Sequence, residues 1–213
     1  MFITFEGIEG AGKGTLLDAV EGWLTARGIP YLLTREPGGS ELGRHLRSLL
    51  LDVNQKVAPK AELFLYLADR AQHMRHVIVP ALERGEVVLS DRFADSTIVY
   101  QGYGRGLDVE ELVRLNEMAI DGLWPDCTLL LDVDPAVGLQ RAQRRNRELG
   151  LEIKEGRFEA ESLAFHEKVR NGYLEWARRN AGRYHILDAA EPPRMVAAAA
   201  QRVLEKVMGT VEV

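Results

Sequence analysis

Glycines at 7, 10 and 12 followed by a lysine, in Gly7-Ile8-Glu9-Gly10-Ala11-Gly12-Lys13-Gly14-Thr15, are the residues of this chain best suited to hold a polyanion. Glycines let successive backbone N–H groups close around a phosphate, a helix start adds the positive end of its dipole, and Lys13 supplies a point charge. The segment follows the apolar run Phe2 to Phe5 and opens a helical pattern, which is the context such a loop requires. A hydroxyl directly after the lysine commonly coordinates Mg²⁺. Here that position is Gly14, and the hydroxyl comes one place later on Thr15.

Other residues able to act on phosphates are spread along the chain. Asp91-Arg92 follows a third apolar run, at the sheet edge where open α/β folds bind ligands. Arg44 and Arg47 lie on the helical pattern after Arg35-Glu36-Pro37-Gly38-Gly39, and a planar guanidinium suits paired phosphate oxygens. Tyr66 and Arg70 stand at i and i+4, as do Ser96 and Tyr100, so each pair shares a helix face. From spacing alone Tyr66 fits either a ligand-facing ring or simple core packing. The stretch 141–157 is crowded with cations, Arg141, Arg145 and Arg147 among them, and is broken by Gly150 and Gly156. By itself it reads as a solvated face.

The elements that must position these groups are short apolar runs alternating with helical patterns. The runs are Phe2 to Phe5, Tyr31 to Leu33, Val87 to Leu89, Thr128 to Leu131 and Tyr184 to Leu187. Five buried strands separated by helices imply an α/β architecture, a parallel sheet covered on both faces. Helices are expected over about Lys13 to Arg27, Ser40 to Leu51, Pro59 to Arg84, Asp108 to Asp121, Pro135 to Glu148, Phe158 to Arg179 and Pro193 to Met208. Ser40-Glu41 and Asp134-Pro135 carry capping signals, and Pro80 is expected to bend the third helix.

With 213 residues, 46% of them hydrophobic, one core and one domain spanning 1–213 are the expectation. A formal charge of −5, from 32 acidic and 27 basic residues, has the wrong sign for holding long nucleic acids. The lone Cys127 reads as a buried thiol. Neither a signal peptide nor a run of about 20 apolar residues is present, so a cytoplasmic protein without a membrane partner is expected. The guanine-reading Asn-Lys-x-Asp and the switch Asp-x-x-Gly of regulatory GTPases do not occur.

The loop together with Thr34 to Gly39, Glu62 to Arg70, Asp91 to Thr97 with Tyr100-Gln101-Gly102, and Phe165 to Tyr173 closely resembles bacterial thymidylate kinases, in order and spacing, over nearly the whole chain. The resemblance implies a three-layer P-loop NTPase fold with a mobile lid at about 141–157. It also implies transfer of the terminal phosphate of ATP to dTMP with Mg²⁺, giving dTDP, in a protein that is commonly a homodimer. A monophosphate acceptor brings its own ionised nucleophile, so arginines and Mg²⁺ should dominate such a site.

Carried over by resemblance, Gly7 to Thr15 hold ATP, with Lys13 and Arg92 catalytic and Arg92 on the acceptor or transferring phosphate. Arg47 grips the dTMP phosphate; Tyr66 stacks on thymine and Arg70 bonds its exocyclic oxygen. Thr97 and Gln101 meet the thymine edge, Ser96 is among the dTMP-binding residues, and Tyr100 meets the sugar side, where its ring crowds a ribose hydroxyl. Glu9 and Glu36 match acidic residues near the acceptor. Asp91 and Thr15 are the candidate metal ligands, and Arg141, Arg145 and Arg147 the candidate lid arginines, with no choice among them.

Departures from the family pattern stand out, one of them Gly156, where most relatives have Asp before Arg157-Phe158-Glu159. Gly-Ala-Gly-Lys-Gly-Thr resembles the loop of adenylate kinases, and Phe93 stands where most relatives of the thymidylate type have Tyr or His. Competing readings are another kinase of the same architecture and a nucleotide-binding scaffold without turnover.

Overall fold

The computed structural model describes residues 1–150 and 156–209. Five strands, β1 (Phe2–Glu6), β2 (Tyr31–Arg35), β3 (Val87–Asp91), β4 (Cys127–Asp132) and β5 (Tyr184–Asp188), form one sheet in the order β2-β3-β1-β4-β5. Every pairing is parallel, as uninterrupted apolar strands joined by helices require. All five residues of β1 are buried. Phe2 and Val88 pack with Met74, Ile78 and Ala81, whereas Ile3, Phe5 and Leu89 pack with Leu16, Val20 and Leu24. Successive strand residues point to opposite faces, so these two sets mean helices on both sides.

The helices are α1 (Lys13–Ala26), α2 (Glu41–Leu51), α3 (Pro59–His73), α4 (Val79–Glu83), α5 (Ala94–Thr97), α6 (Val109–Ile120), α7 (Pro135–Leu149), α8 (Leu163–Arg179) and α9 (Pro193–Gly209). Ser40 caps α2 by accepting from Gly43 N at 3.0 Å, and Asp134 caps α7 by accepting from Ala136 N at 2.9 Å.

Three helix expectations need correction. The third helix is not continuous from Pro59 to Arg84: a π-helical turn, Met74–Ile78, separates α3 from α4. Pro80 lies just beyond it, where a ring without an N–H fits the start of a new helical segment. The helix after Asp91-Arg92 is α-helical only over Ala94–Thr97 and π-helical over Ile98–Gly104. Third, α8 begins at Leu163 rather than Phe158, because the Ser162 side chain accepts from Phe165 N at 3.2 Å and sets the start there.

Phe5 pairs with Asp91, and Arg35 also pairs with Asp91, so the ends of β1, β3 and β2 lie abreast at the carboxyl edge. That register brings the glycine loop, the Asp91-Arg92 turn and the Glu36-Pro37 turn to one side of the sheet. α7 ends at Gly150, whose φ of +64° suits a residue without Cβ. Residues 151–155 of the expected lid lie outside the described residues.

Candidate active site

The glycine loop is held by backbone contacts that only glycine permits. Gly10 has φ +70°, and a Cβ there would lie 1.9 Å from the Gly138 carbonyl of α7. Gly138 in turn approaches the Glu9 carbonyl, 2.6 Å from where its own Cβ would be. Lys13 is buried and donates to the Gly7 and Ile8 carbonyls at 3.1 and 3.2 Å. Burial first, then the neighbouring Arg92, pulls its ammonium down to about 8. A Cβ on Gly14 would meet nothing within 4 Å, so the missing hydroxyl is not a matter of space.

A cavity of about 620 Å³ opens over this edge of the sheet. Its wall includes Glu9 to Leu16, Glu36, Arg47, Tyr66, Arg70, Asp91, Arg92, Ser96, Thr97, Tyr100, Gln101, Arg141 and Arg145. Gly7 and Ile8 sit beneath it as the carbonyls that hold Lys13. Arg147 is elsewhere, beside a smaller depression with Val53, Gln143 and Gly156. Arg44 is exposed and not part of the wall, while Arg47 is, donating to the Pro37 carbonyl at 3.0 Å.

Arg92 has φ +68°, the left-handed region that non-glycine residues seldom occupy. Its Nη2 donates to Glu9 Oε1 at 2.8 Å, and its Nη1 to Ser96 Oγ at 3.2 Å and the Tyr173 hydroxyl at 3.1 Å. The guanidinium carbon lies 4.9 Å from the Tyr100 ring centroid. Tyr100 donates to Glu9 Oε1 at 2.7 Å, and its ring meets Phe158 edge-on at 5.3 Å. Burial alone would raise the Glu9 carboxyl, but Arg92, His166 and Lys13 together hold it down at about 2. His166 donates Nε2–H to the Phe158 carbonyl at 3.0 Å, and its Nδ1 lies 3.3 Å from Glu9 Oε2, off the line of a hydrogen bond.

A second arginine of the wall, Arg70, is spent inside the protein. Arg70 donates to Glu36 Oε2 (2.8 Å from both Nε and Nη2), Thr97 Oγ1 (2.8 Å), Asn116 Oδ1 (2.6 Å) and the Phe93 carbonyl (3.1 Å). Glu36 also meets His73 Nδ1 at 2.9 Å, and His73 Nε2 meets Thr34 Oγ1 at 2.7 Å. Gln101 donates to Glu62 Oε1 at 2.9 Å, and Glu62 is further bound by Arg105 and Arg157. Tyr66 lines the cavity with its phenol pushed upward by burial and Glu62. Phe93 is fully buried, edge-on to Phe2 at 4.8 Å, with the Arg70 guanidinium 5.5 Å from its ring centroid. A polar tip is not needed there.

On the remaining side Arg141 donates to the Ala189 carbonyl at 3.1 Å, and Arg145 to Glu159 at 3.1 Å. Asp91 Oδ1 is buried with no hydrogen-bond partner among the described residues. Thr15 is exposed at the cavity wall. Cys127 is buried and its thiol pushed up to about 12 by that burial, so it stays protonated and inert.

The residues alone gave no site role to Glu6, Phe158 or Glu191, and Arg35, His166 and Tyr173 entered only as parts of matching strings. Arg35, Phe158 and Glu191 line the cavity. The spacing of His166 and Tyr173, two turns apart on one helix, was the available signal for a shared face; a carboxylate at the end of a largely apolar strand was the signal for Glu6.

A family model described as Thymidylate kinase matches residues 5–200. The thymidylate kinase of Nitratidesulfovibrio vulgaris (strain DP4) is 57% identical over 212 residues, covering 99% of this chain and 95% of that one. That of Oleidesulfovibrio alaskensis is 60% identical over 194 residues, covering 91% and 92%. The crystal structure of the thymidylate kinase from Ehrlichia chaffeensis superposes with a TM-score of 0.76 at 35% identity, over 96% of this chain and 98% of that one. This chain belongs to the thymidylate kinase family.

Proposed function

We propose that this protein phosphorylates dTMP to dTDP with Mg-ATP, as a single domain of 1–213 whose lid is the segment 141–157. The observation that carries the reading is one cavity whose wall gathers Lys13, Arg47, Arg92, Arg141 and Arg145 around the glycine loop, with Tyr66, Thr97 and Gln101 on the same wall. Cations from four separate segments converge where two polyanions would have to touch. The acceptor phosphate is its own ionised nucleophile, so no general base is required. The protein's work is alignment and neutralisation of charge.

In this reading the loop N–H groups and Lys13 hold the ATP phosphates, and Arg92 and Arg47 hold the acceptor phosphate in line. Arg141 and Arg145 stabilise the group in flight, with Arg147 reaching it only if the lid moves. Tyr66 stacks on the base, and Thr97, Gln101 and Arg70 form its polar wall. Ser96 supports Arg92; Tyr100 with Glu9 lines the sugar side, and Glu36 fixes Arg70. The unpartnered Asp91 Oδ1 fits a divalent cation, and among the described residues no three acidic, His or Cys side chains group to hold one alone. Mg²⁺ would therefore take most of its oxygens from phosphate and be held on the protein side by Asp91 and Thr15, where it supplies charge neutralisation.

No helix among the described residues is long and apolar enough to cross a membrane, in keeping with a cytoplasmic enzyme. α3 and α6 carry the exposed Phe64 and Met118, which supports a homodimer through that face. The test is an acceptor panel: purified protein with Mg-ATP should convert dTMP far faster than AMP, CMP or dGMP, read by coupled ADP release. Preference for AMP would overturn the proposal.

A further inference from the structure

We infer that Glu6 and Tyr173 are positioning residues for Arg92: together with Ser96 they fix both its left-handed backbone and the direction of its guanidinium. The inference rests on the proposed role of Arg92 at the acceptor phosphate. Neither Glu6 nor Tyr173 lines the cavity, and both are buried.

The backbone needs a restraint. At φ +68° a residue with a Cβ is strained, and the conformation persists only where neighbours hold it. Arg92 N donates to the Phe5 carbonyl at 3.0 Å, and the next amide, Phe93 N, donates to Glu6 Oε1 at 2.8 Å. Two consecutive amides on either side of the Arg92 Cα are thus tied to the last two residues of β1. The turn cannot relax toward an ordinary conformation without breaking one of them.

The side chain is aimed by the other oxygen of the same carboxylate. Ser96 Oγ donates to Glu6 Oε2 at 2.6 Å, and the Tyr173 hydroxyl donates to it at 2.7 Å. Once ionised, the Glu6 carboxylate only accepts, so the single proton of each hydroxyl is then committed to it. Their lone pairs are left facing Arg92 Nη1, which donates to both, at 3.2 and 3.1 Å. The hydroxyl oxygens are 2.8 Å apart and form a two-point cradle for one guanidinium nitrogen. Glu6 therefore acts on Arg92 through two hydroxyls rather than as a direct ion pair, leaving the guanidinium edge toward the cavity for a phosphate. The cradle joins β1, the turn after β3 and α8, so the orientation of one arginine depends on the packing of three elements.

The experiment compares wild type with Tyr173→Phe and Glu6→Gln, on the acceptor that the wild type turns over fastest and on the nucleoside that lacks its phosphate. Tyr173→Phe removes one oxygen of the cradle and keeps the ring. It should lower kcat by roughly 10- to 100-fold and weaken monophosphate binding. Nucleoside affinity by calorimetry and KM for ATP should stay within about twofold. Glu6→Gln keeps one acceptor for Phe93 N but presents an NH₂ to the hydroxyls, and its loss of kcat should be the larger. Tyr173→Phe with wild-type kcat and monophosphate affinity, or one that weakens nucleoside and monophosphate alike, would overturn the inference. A wrong choice of acceptor shows in the wild-type panel; a wrong role for the cradle shows in the ratio of variant to wild type. If Glu6→Gln fails to fold, Tyr173→Phe decides alone.

Discussion

Arg70 and Arg92 line one cavity, yet the chain treats them in opposite ways. The Arg70 side chain is 1% exposed and all three of its nitrogens donate inside the protein, to Glu36, Thr97, Asn116 and the Phe93 carbonyl. Arg92 is 18% exposed and held by three hydrogen bonds at one end. One guanidinium is part of the wall. The other is mounted on the wall of the cavity and partly exposed. A buried charge with every donor satisfied stiffens a surface, whereas a partly satisfied charge on a strained turn keeps something to offer an anion. The end of the cavity near Arg70 should thus select by fixed shape, and the end near Arg92 by charge.

Removing each arginine separates these roles. Arg70→Ala strands Glu36 among His73 and buried backbone, and breaking a buried pair from one side costs about 3–5 kcal/mol. Urea denaturation should register a loss of that order; a loss below about 1 kcal/mol would mean that Arg70 is not structural. Arg92→Ala should do the reverse. A donor aimed at developing charge is worth about 10²–10³ in kcat, while the melting temperature should stay closer to the wild-type value than in Arg70→Ala, because the Arg92 side chain is partly exposed and alanine keeps the same backbone at φ +68°. A large fall in stability without a fall in kcat would erase the contrast.

Much of this contrast was not legible in the sequence. The parallel sheet was, because Phe2 to Phe5, Val87 to Leu89 and Thr128 to Leu131 are short runs rich in apolar and β-branched residues and free of charge, and the glycine loop was, because its spacing is tied to a strand before and a helix after. The strand order and the register of Phe5 with Asp91 were not, since a helical crossover hides which strands neighbour. The π-helical turns at Met74–Ile78 and Ile98–Gly104 leave no periodic signature in so few residues. Nor does a string show that Arg92 takes a positive φ or that Arg70 faces inward. Both facts depend on partners far along the chain: Glu6, Tyr173 and Asn116.

The Arg92 end also carries opposed titrations. Burial, with Asp95 adding to it, pushes Glu6 up to about 7 from an ordinary 4.5. Between those values the folded protein keeps a proton that the unfolded chain has released, so stability should fall as pH rises from about 4.5 through about 7, by on the order of 3 kcal/mol. Glu9, held at about 2, acts below that window: its contribution is present above 4.5 and is lost as pH falls toward 2. The Glu6→Gln variant should flatten the upper slope and leave the lower one. Thermal melts across pH 3 to 8 would check this, and a variant that keeps the upper slope would assign it to another group.

The smallest effect tests the Arg70 end. If its donors are already committed to the protein, discrimination between thymine and uracil has to come from the space around one methyl group, not from a hydrogen bond made or lost. A buried carbon in an apolar slot is worth about 1–3 kcal/mol, which is 10- to 200-fold in kcat/KM. dUMP should therefore be a poor but measurable acceptor. Hydrogen-bonded recognition reaches 10⁴-fold or more, because rejecting the wrong ligand leaves buried donors unpaired. Thymine and uracil carry the same donors and acceptors, so a dTMP to dUMP ratio of that size could not come from the hydrogen bonds of the base and would mean that the methyl group resets the wall itself, so that this end of the cavity is not a fixed shape.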